Sequence, residues 1–479
     1  MFCTVGDQPT LWEALLPDEL RRLPEELARV DGLLDDPVFF APFVRFFDPR
    51  IGRPSTPMET YLRLMFLKFR YRLGFESLCR EVSDSITWRQ FCRIGLDQPV
   101  PHPTTLMKLT TRCGSVAVEG LNEALLGKAA EAKLLRCTRV RVDTTVVPAN
   151  VAYPTDSGLL AKAVRRIAAA GRRIQAVGGA VRTKVRDRSR AAGRRAHDLN
   201  AKLRTRNSAA RAEALAVVRR KNGELVHLAE VAAAEAERLL ANAKRALRVA
   251  RQKAAELKAA GCRDAVAGRR RGRLARAVND LTELLDATRK IAAQTRQRVA
   301  GTTPDGATRR VSLHDPDARP IAKGRLGKPV EFGSKAQVCD NDDGIVLDHD
   351  VQPGNPADTP RLEPAIKRVI KRTGRKPRTV TADRGYGEQT VDDALHDAGI
   401  RDVVIPRRGR PTKARQAVEH RRAFRRHVKW RTGCEGRIST LKRGYGWDRS
   451  RIDSLEGARI WTGHGVLAHN LIKIAALTN

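Results

Sequence analysis

Arg139-Val-Arg-Val-Asp-Thr-Thr-Val-Val147 alternates apolar and polar side chains. In an extended chain Val140, Val142 and Val146 share one face, and Arg141, Asp143 and Thr145 share the other. The pattern predicts a half-buried strand over residues 137–148 with a carboxylate on its polar face. The chain changes character on the two sides of this strand.

Upstream, residues 1–135 read as helical. Met58 to Arg72 has apolar residues at helical spacing, and Gly74 breaks the pattern. Phe75 to Val82 and Ile86 to Cys92 predict two shorter helices. Pro103-Thr104-Thr105 opens a fourth, with Thr104 or Thr105 as its cap. Short helices joined by tight turns suit a helix-turn-helix reader of DNA. Residues 1–135 are therefore expected to form a helical N-terminal DNA-binding domain; the plainer reading is an ordinary helical packing domain.

Downstream, residues 161–300 contain no Pro, Phe, Tyr or Trp. They hold 36 Lys+Arg against 12 Asp+Glu, a net charge of +24, whereas the other 339 residues carry only +13. Ala, Arg, Leu and Val dominate, so the segment is helix-permissive despite glycines such as Gly171, Gly178, Gly179, Gly193, Gly261 and Gly268. It is expected to be a basic helical insertion of long hairpins packed through Leu, Ala and Val stripes. Its cations would track phosphates without reading bases. The competing reading is a solvated, partly disordered basic linker.

Strand signals return after Pro304. Phe332 to Asp340 and Gly344 to Val351 flank Asn341-Asp342-Asp343, a hairpin pattern. A helix over Pro360 to Thr373 follows, then a strand over Arg378 to Asp383 that ends at its acid. Gly385-Tyr386-Gly387 turns the chain into a helix over Glu388 to Ala398, and Arg401 to Pro406 is a further strand. A long basic helix, broken or kinked near Gly433 and Gly436, carries Arg431, Glu435 and Lys442, and Gly444 stops it. Strand, insertion, hairpin, helix, strand, helix, strand, helix is an α/β order, predicting a mixed sheet with helices on its faces. Residues 136–160 hold the first strand of this catalytic domain and 301–479 the remainder.

The 479 residues suffice for two or three domains. A net charge of +37 points to a polyanionic partner, with double-stranded DNA foremost. The eight cysteines show no C-x2-C spacing, which argues against a zinc ribbon and for reduced thiols in a cytosolic protein. Asp7 and Glu13 argue against a signal peptide, and no run of 18 apolar residues is present. His314, His349, His464 and His469 lack ligand spacing.

Asp143, Asp383 and Glu435 stand out as a set. Each is unremarkable alone: Asp143 as a partner of Arg139 or Arg141, Asp383 as a turn former, Glu435 as half of an i,i+4 pair with Arg431. Together they are a strand acid, an acid at a later strand's C-terminal end, where open α/β sheets place their sites, and an acid on a helix. On that helix Arg431, Glu435 and Lys442 fall within about 40° of one another, a poor core face and a good one for metal and phosphate. DNA cleavage needs an activated hydroxyl and a stabilised leaving oxygen, which two hard cations roughly 4 Å apart on carboxylates provide. Competing acids are Asp348, Asp350, Glu419 and Asp448.

These residues resemble a family. Trp430-Arg-Thr-Gly-Cys-Glu-Gly-Arg-Ile-Ser-Thr-Leu-Lys442 contains R-x3-E-x6-K. With Asp143-Thr-Thr and Asp383-Arg-Gly-Tyr-Gly, it looks like a bacterial insertion-sequence transposase of the DDE type, close to the insertion-sequence five group. That group's signature places a tyrosine where this chain has Val428. Gly52-Arg53-Pro54 and Trp88-Arg89-Gln90-Phe91 resemble its N-terminal domain, Phe332 to Lys335 and Gly354 to Asp358 its hairpin region, and Leu467 to Leu471 its last helix. The resemblance implies an RNase H-like fold. It implies that Asp143, Asp383 and Glu435 are catalytic and hold two Mg²⁺ ions, with Mn²⁺ able to replace them. Arg431 and Lys442, with Lys335 a weaker candidate, would contact DNA phosphates. It implies cleavage at terminal repeats followed by strand transfer, a homodimer or larger assembly on DNA, and a cytoplasmic, nucleoid-associated bacterial protein. Two other readings stay open: a DNA-binding protein without catalysis, and an RNase H-like nuclease that cuts without joining. Arg408-Gly-Arg-Pro411 resembles a minor-groove hook, and Tyr445 and Trp447 are candidates for stacking on a base.

Overall fold

The computed structural model describes residues 1–4, 16–203, 211–262, 264–323 and 329–478; Asp7 and Glu13 lie outside them. Two compact units emerge, Met1–Asn150 with Gly333–Asn479, and Val151–Phe332.

The first unit opens with α1 (Glu25–Leu34), α2 (Met58–Arg70), α3 (Phe75–Asp84), α4 (Ile86–Phe91) and α5 (Pro103–Glu131). Ser85 caps α4 by accepting from the Trp88 N–H at 3.2 Å. The cap of α5 is His102, not Thr104 or Thr105; its Nδ1 accepts from the Thr104 N–H at 3.3 Å. Pro103 has no N–H to satisfy and a preset φ, so it takes the first helical position and leaves the cap to the residue before it, two or three positions upstream of the expected threonines. Helix α2 is buried from Met58 to Phe69 all round, so even Arg63 points inward. Asp31 and Asp35, each at 2.6 Å, supply the charge that makes that burial tolerable.

Strand β1 (Arg139–Pro148) follows. It is not half-buried as the alternation predicts, because Arg141, Asp143 and Thr145 are buried as well. A helix near the C-terminus lies across the polar face, and those residues point into that contact rather than to solvent.

The second unit contains α6 (Asp156–Ala176), α7 (Ser189–Leu203), α8 (Arg211–Ala259), α9 (Ala265–Val299) and β2 (Arg319–Ala322). At 1.5 Å per residue α8 is roughly 74 Å long. Ala229, Ala236 and Ala243 on α8 pack with Leu160, Ile167, Leu281 and Ile291 in one apolar core. Small alanine side chains let backbones approach closely, so a core forms without aromatic rings. This packing replaces the solvated-linker reading with a folded helical insertion.

The first unit resumes within β3 (Val330–Asp340) and continues through β4 (Val346–Pro353), α10 (Leu362–Thr373), β5 (Thr379–Thr381), α11 (Gln389–Asp397), β6 (Asp402–Val404), α12 (Lys413–His420), α13 (Arg422–Gly444) and α14 (Ser454–Ala475). The six-stranded sheet has the order β2-β3-β1-β5-β6, with β4 also on β3. β3 is antiparallel to β1 and β4, whereas β1-β5 and β5-β6 are parallel. An antiparallel hairpin followed by parallel strands reached through helices is the mixed α/β architecture of an RNase H-like domain. Val140, Val142, Val338 and Val380 of the sheet share one apolar core with Tyr61, Leu121 and Trp461 of the helices. No helix among the described residues is long and apolar enough to cross a membrane, and all eight cysteines are free thiols.

Candidate active site

Parallel pairing of β1 with β5 sets Arg141 beside Thr381. Asp143 and Asp383 each lie two residues further on, and a period of two keeps both on one face. The strand pair therefore brings together two acids separated in sequence by the entire insertion. Asp383 sits just past its strand, where its Oδ1 accepts from the Gly385 N–H at 2.9 Å and starts a tight turn. That turn buries Tyr386, whose hydroxyl accepts from Gln337 Nε2 at 2.9 Å.

The third acid arrives on α13, and Arg141 is the anchor. Its Nε and Nη2 donate to Asp340 at 2.7 and 2.9 Å, its Nη1 donates to the Trp430 carbonyl at 3.2 Å, and its guanidinium lies 4.7 Å from the Trp430 ring centroid. A Cβ at residue 433 would stand 2.1 Å from Arg141 Nη1. Gly433 is thus a close-approach residue. The expected break or kink near Gly433 and Gly436 does not occur, since α13 runs unbroken from Arg422 to Gly444. Glycine lowers helix propensity by only about 1 kcal/mol, which this docking contact outweighs.

Docked this way, α13 presents Arg431 to two of the three acids. Arg431 Nη1 donates to Asp143 Oδ2 at 2.9 Å, and Nη2 donates to Glu435 Oε1 at 3.0 Å. The Asp143 side chain is 13% exposed and that of Glu435 62%, so the set runs from the sheet out to solvent. Burial pushes the Asp143 carboxyl up to about 6; the Thr144 N–H and Arg431 pull it down, while the charges of Asp383 and Glu435 raise it further. Burial and the charge of Asp358 raise Asp383, against the Gly385 N–H, Arg431 and Lys335. The three carboxylates therefore share one electrostatic field. Among the described residues, no three His, Cys, Asp or Glu side chains converge as a ready metal cage. The donor chemistry nevertheless fits a hard dication: a buried acid with two acidic neighbours holds an excess of negative charge.

Lys335 is buried on β3, where its Nζ lies 2.7 Å from Asp358 Oδ1 and donates to the Pro356 carbonyl at 3.1 Å. Lys442 is half-buried on the same unbroken helix as Glu435. Asp358 is the residue that sequence reading left out of the site, although Gly354 to Asp358 stood out as a recurring element. A Cβ at residue 385 would be 3.0 Å from Asp383 Oδ1 and 3.6 Å from Asp358 Oδ2, so these acids are neighbours. An acid just past a glycine- and proline-rich turn was the available signal.

The competing acids are held elsewhere. Asp348 is fully buried against Arg368 at 2.8 Å and Arg372, Asp350 pairs with Arg361, Glu419 with Arg415 at 3.1 Å, and Asp448 with Arg72 at 2.6 Å. Trp447 is fully buried and donates to the Thr462 carbonyl at 3.1 Å, and Tyr445 packs edge-on against His469, so neither is placed to stack on a base. Arg139 pairs with Asp342 and Arg141 with Asp340, which leaves Asp143 to Arg431.

Two family models match the chain, "Transposase domain (DUF772)" over residues 15–112 and "Transposase DDE domain" over 303–471. The second includes Asp383, Arg431, Glu435 and Lys442, while Asp143 lies ahead of it. A Rhizobium meliloti protein, ORF8 in the nfe locus, is 31% identical over 150 residues, covering 30% of this chain and 71% of that protein. No solved structure matches. With transposase matches on both sides of the insertion, and two acids at neighbouring strands faced by a third on α13, the chain belongs to the DDE transposases of insertion sequences.

Proposed function

We propose that this transposase nicks DNA at the terminal repeats of an insertion sequence and joins the freed end to target DNA. The observation that carries the reading is the convergence of Asp143, Asp383 and Glu435, in which the charges of Asp383 and Glu435 add to the burial that raises the Asp143 carboxyl to about 6. In the first step a water oxygen bonds to the scissile phosphorus and the 3′ oxygen leaves, taking up a proton. In the second the 3′-hydroxyl oxygen bonds to a target phosphorus, displacing the target's own 3′ oxygen. No covalent protein–DNA intermediate is required.

DDE transposases use divalent metal ions. Asp143, Asp383 and Glu435 would hold two Mg²⁺ ions, which would activate the attacking oxygen and stabilise the leaving one. Asp143, the most buried of the three, is suited to the shared position, and Glu435 reaches in from the helix. Arg431 would move from the carboxylates to a phosphate, Lys442 would follow the strand further along α13, and Lys335 is the weakest phosphate candidate because Asp358 already engages it. Residues 1–135 would recognise the terminal repeats. The exposed cations Lys244, Arg248, Arg251, Arg269, Arg273 and Arg276 form no ion pair among the described residues and would grip duplex phosphates. Two ends must be paired, so a homodimer or larger assembly is expected on DNA. The R-x3-E-x6-K helix suits the insertion-sequence five group, with Val428 in place of its tyrosine.

The test is an assay of the full chain with Mg²⁺, a duplex carrying the flanks of its own element and a target plasmid. Strand transfer supports the proposal. Cleavage alone would make the protein a nuclease, and binding without either would make it a DNA-binding relic.

A further inference from the structure

Within the first unit a cavity of about 290 Å³ opens where the end of α2 meets the segment joining α13 to α14. Lys68, Arg72, Arg449 and Arg451 line it, together with the Asp448 carboxylate and Trp461 on the wall. Lys68 is 2% exposed, yet no carboxylate pairs with it among the described residues. Its Nζ donates to the Leu73 carbonyl at 3.2 Å and lies 4.2 Å from the Trp461 ring centroid and 4.7 Å from those of Phe69 and Phe75. Asp448 is engaged by Arg72 at 2.6 Å, and Arg72 itself takes a left-handed backbone with φ 57°. Arg449 and Arg451 are exposed and have no ion pair among the described residues.

A buried lysine that only closed the end of a helix would not need three arginines around it. Burial, with the charge of Arg451, already drives the Lys68 ammonium down to about 7, so the cluster strains its own charge. Planar guanidinium forks and an ammonium around one opening match the oxygens of a phosphate monoester or diester, and the aromatic wall suits the apolar part of a nucleotide. We propose that this cavity binds a phosphoryl group. The group could belong to the backbone of bound DNA or to a free phosphate ester. The DNA source rests on the reading given above. Helix α13 ends at Gly444, nine residues and about 14 Å past Glu435 along the helix axis, or roughly four base pairs of duplex, and Gly446 at the cavity follows two residues later.

Thermal unfolding of the full chain in millimolar inorganic phosphate, against chloride of equal ionic strength, tests it. The expected phosphate-specific rise in Tm is about 2–4 °C. Arg449→Gln with Arg451→Gln should remove it, and so should Lys68→Met. Arg219→Gln with Arg220→Gln, equal in charge and far along the chain, should keep it. If Lys68→Met does not fold, the surface pair decides alone. Duplex binding across salt then separates the sources. If the slope falls by about 0.9 for each DNA phosphate that the native site neutralises, the site belongs to DNA backbone. An unchanged slope with the phosphate response abolished assigns it to a free ester. No specific rise in the unaltered protein, or the same effect in both arginine pairs, overturns the proposal. Either failure leaves the cleavage assay, and so the carboxylate site, untouched.

Discussion

At the residue scale, Arg431 holds the site in balance. One guanidinium spans Asp143 and Glu435, so removing either acid leaves Arg431 the other as partner, whereas removing Arg431 takes the cation from both carboxylates. Asp143→Asn, Asp383→Asn and Glu435→Gln should each abolish cleavage in a gel assay while duplex affinity stays largely intact; a variant that still cuts has no part in the site. Stability should move the other way. The folded Asp143 carboxyl titrates near 6, above its ordinary 3.8, so the protonated form is favoured in the native state. That contribution is full below pH 4 and lost as pH rises through 6. In EDTA at pH 8, Asp143→Asn should therefore be more stable in urea by about 1–3 kcal/mol, the cost of roughly two pKa units before relaxation. An Asn variant less stable than the parent would show that Arg431 already neutralises the acid fully. Asp143 was legible as a carboxylate on a strand. Its partner was not, because Arg139 and Arg141 are nearer in sequence and only the sheet register gives them to Asp342 and Asp340.

At the element scale, the docking of α13 decides whether the third acid reaches the first two. Gly433→Ala tests that directly. Helix propensity alone predicts a gain of about 1 kcal/mol, but the added methyl would meet the Arg141 guanidinium at 2.1 Å, a buried group fixed by Asp340. The clash should win, with a loss of about 1–3 kcal/mol by urea unfolding and cleavage reduced more than DNA binding. A stabilised, fully active Gly433→Ala protein would rule out Arg141 as the anchor of the helix. The glycine itself was visible in the sequence, and a break was the natural local inference. What it serves depends on a side chain from a strand nearly three hundred residues earlier, which no local rule supplies. The C-terminal ends of β1, β3 and α10, at Pro148, Asp340 and Thr373, by contrast, followed from period and turn residues, because those signals act within a few residues; their starts lie two residues from the expected ones.

At the scale of the whole molecule, charge and protonation distinguish the two units. In the first, burial drives His349, His464 and His469 down to about 3. The folded state keeps these rings neutral while the unfolded chain protonates them below its ordinary 6.5, so stability present above that pH is lost on acidification. At pH 5 each costs about 2 kcal/mol, and together they approach the whole stability of a typical domain. Circular dichroism should show this unit unfolding near pH 5, and retention of structure at pH 4 would contradict it. In the second unit, replacing Lys244, Arg248, Arg251, Arg269, Arg273 and Arg276 by Gln should lower the salt slope of duplex binding by about 2 to 5. An unchanged slope would mean this surface does not meet DNA.

Much of this protein was written locally. Alternation along Arg139 to Val147, the turn residues of the hairpin and the aromatic-free basic stretch sufficed for a mixed sheet carrying a helical insertion, because period, turn chemistry and charge are properties of neighbouring residues. The R-x3-E-x6-K spacing likewise set Arg431, Glu435 and Lys442 on one helix face. Tertiary structure decided the rest. Register placed Asp383 beside Asp143, burial raised their carboxyl groups, the fit of Gly433 over Arg141 brought Glu435 to them, and close packing drew Lys68 and three arginines around one cavity. Each of these depends on groups distant in sequence and on the exclusion of water, which act only once the chain has closed on itself.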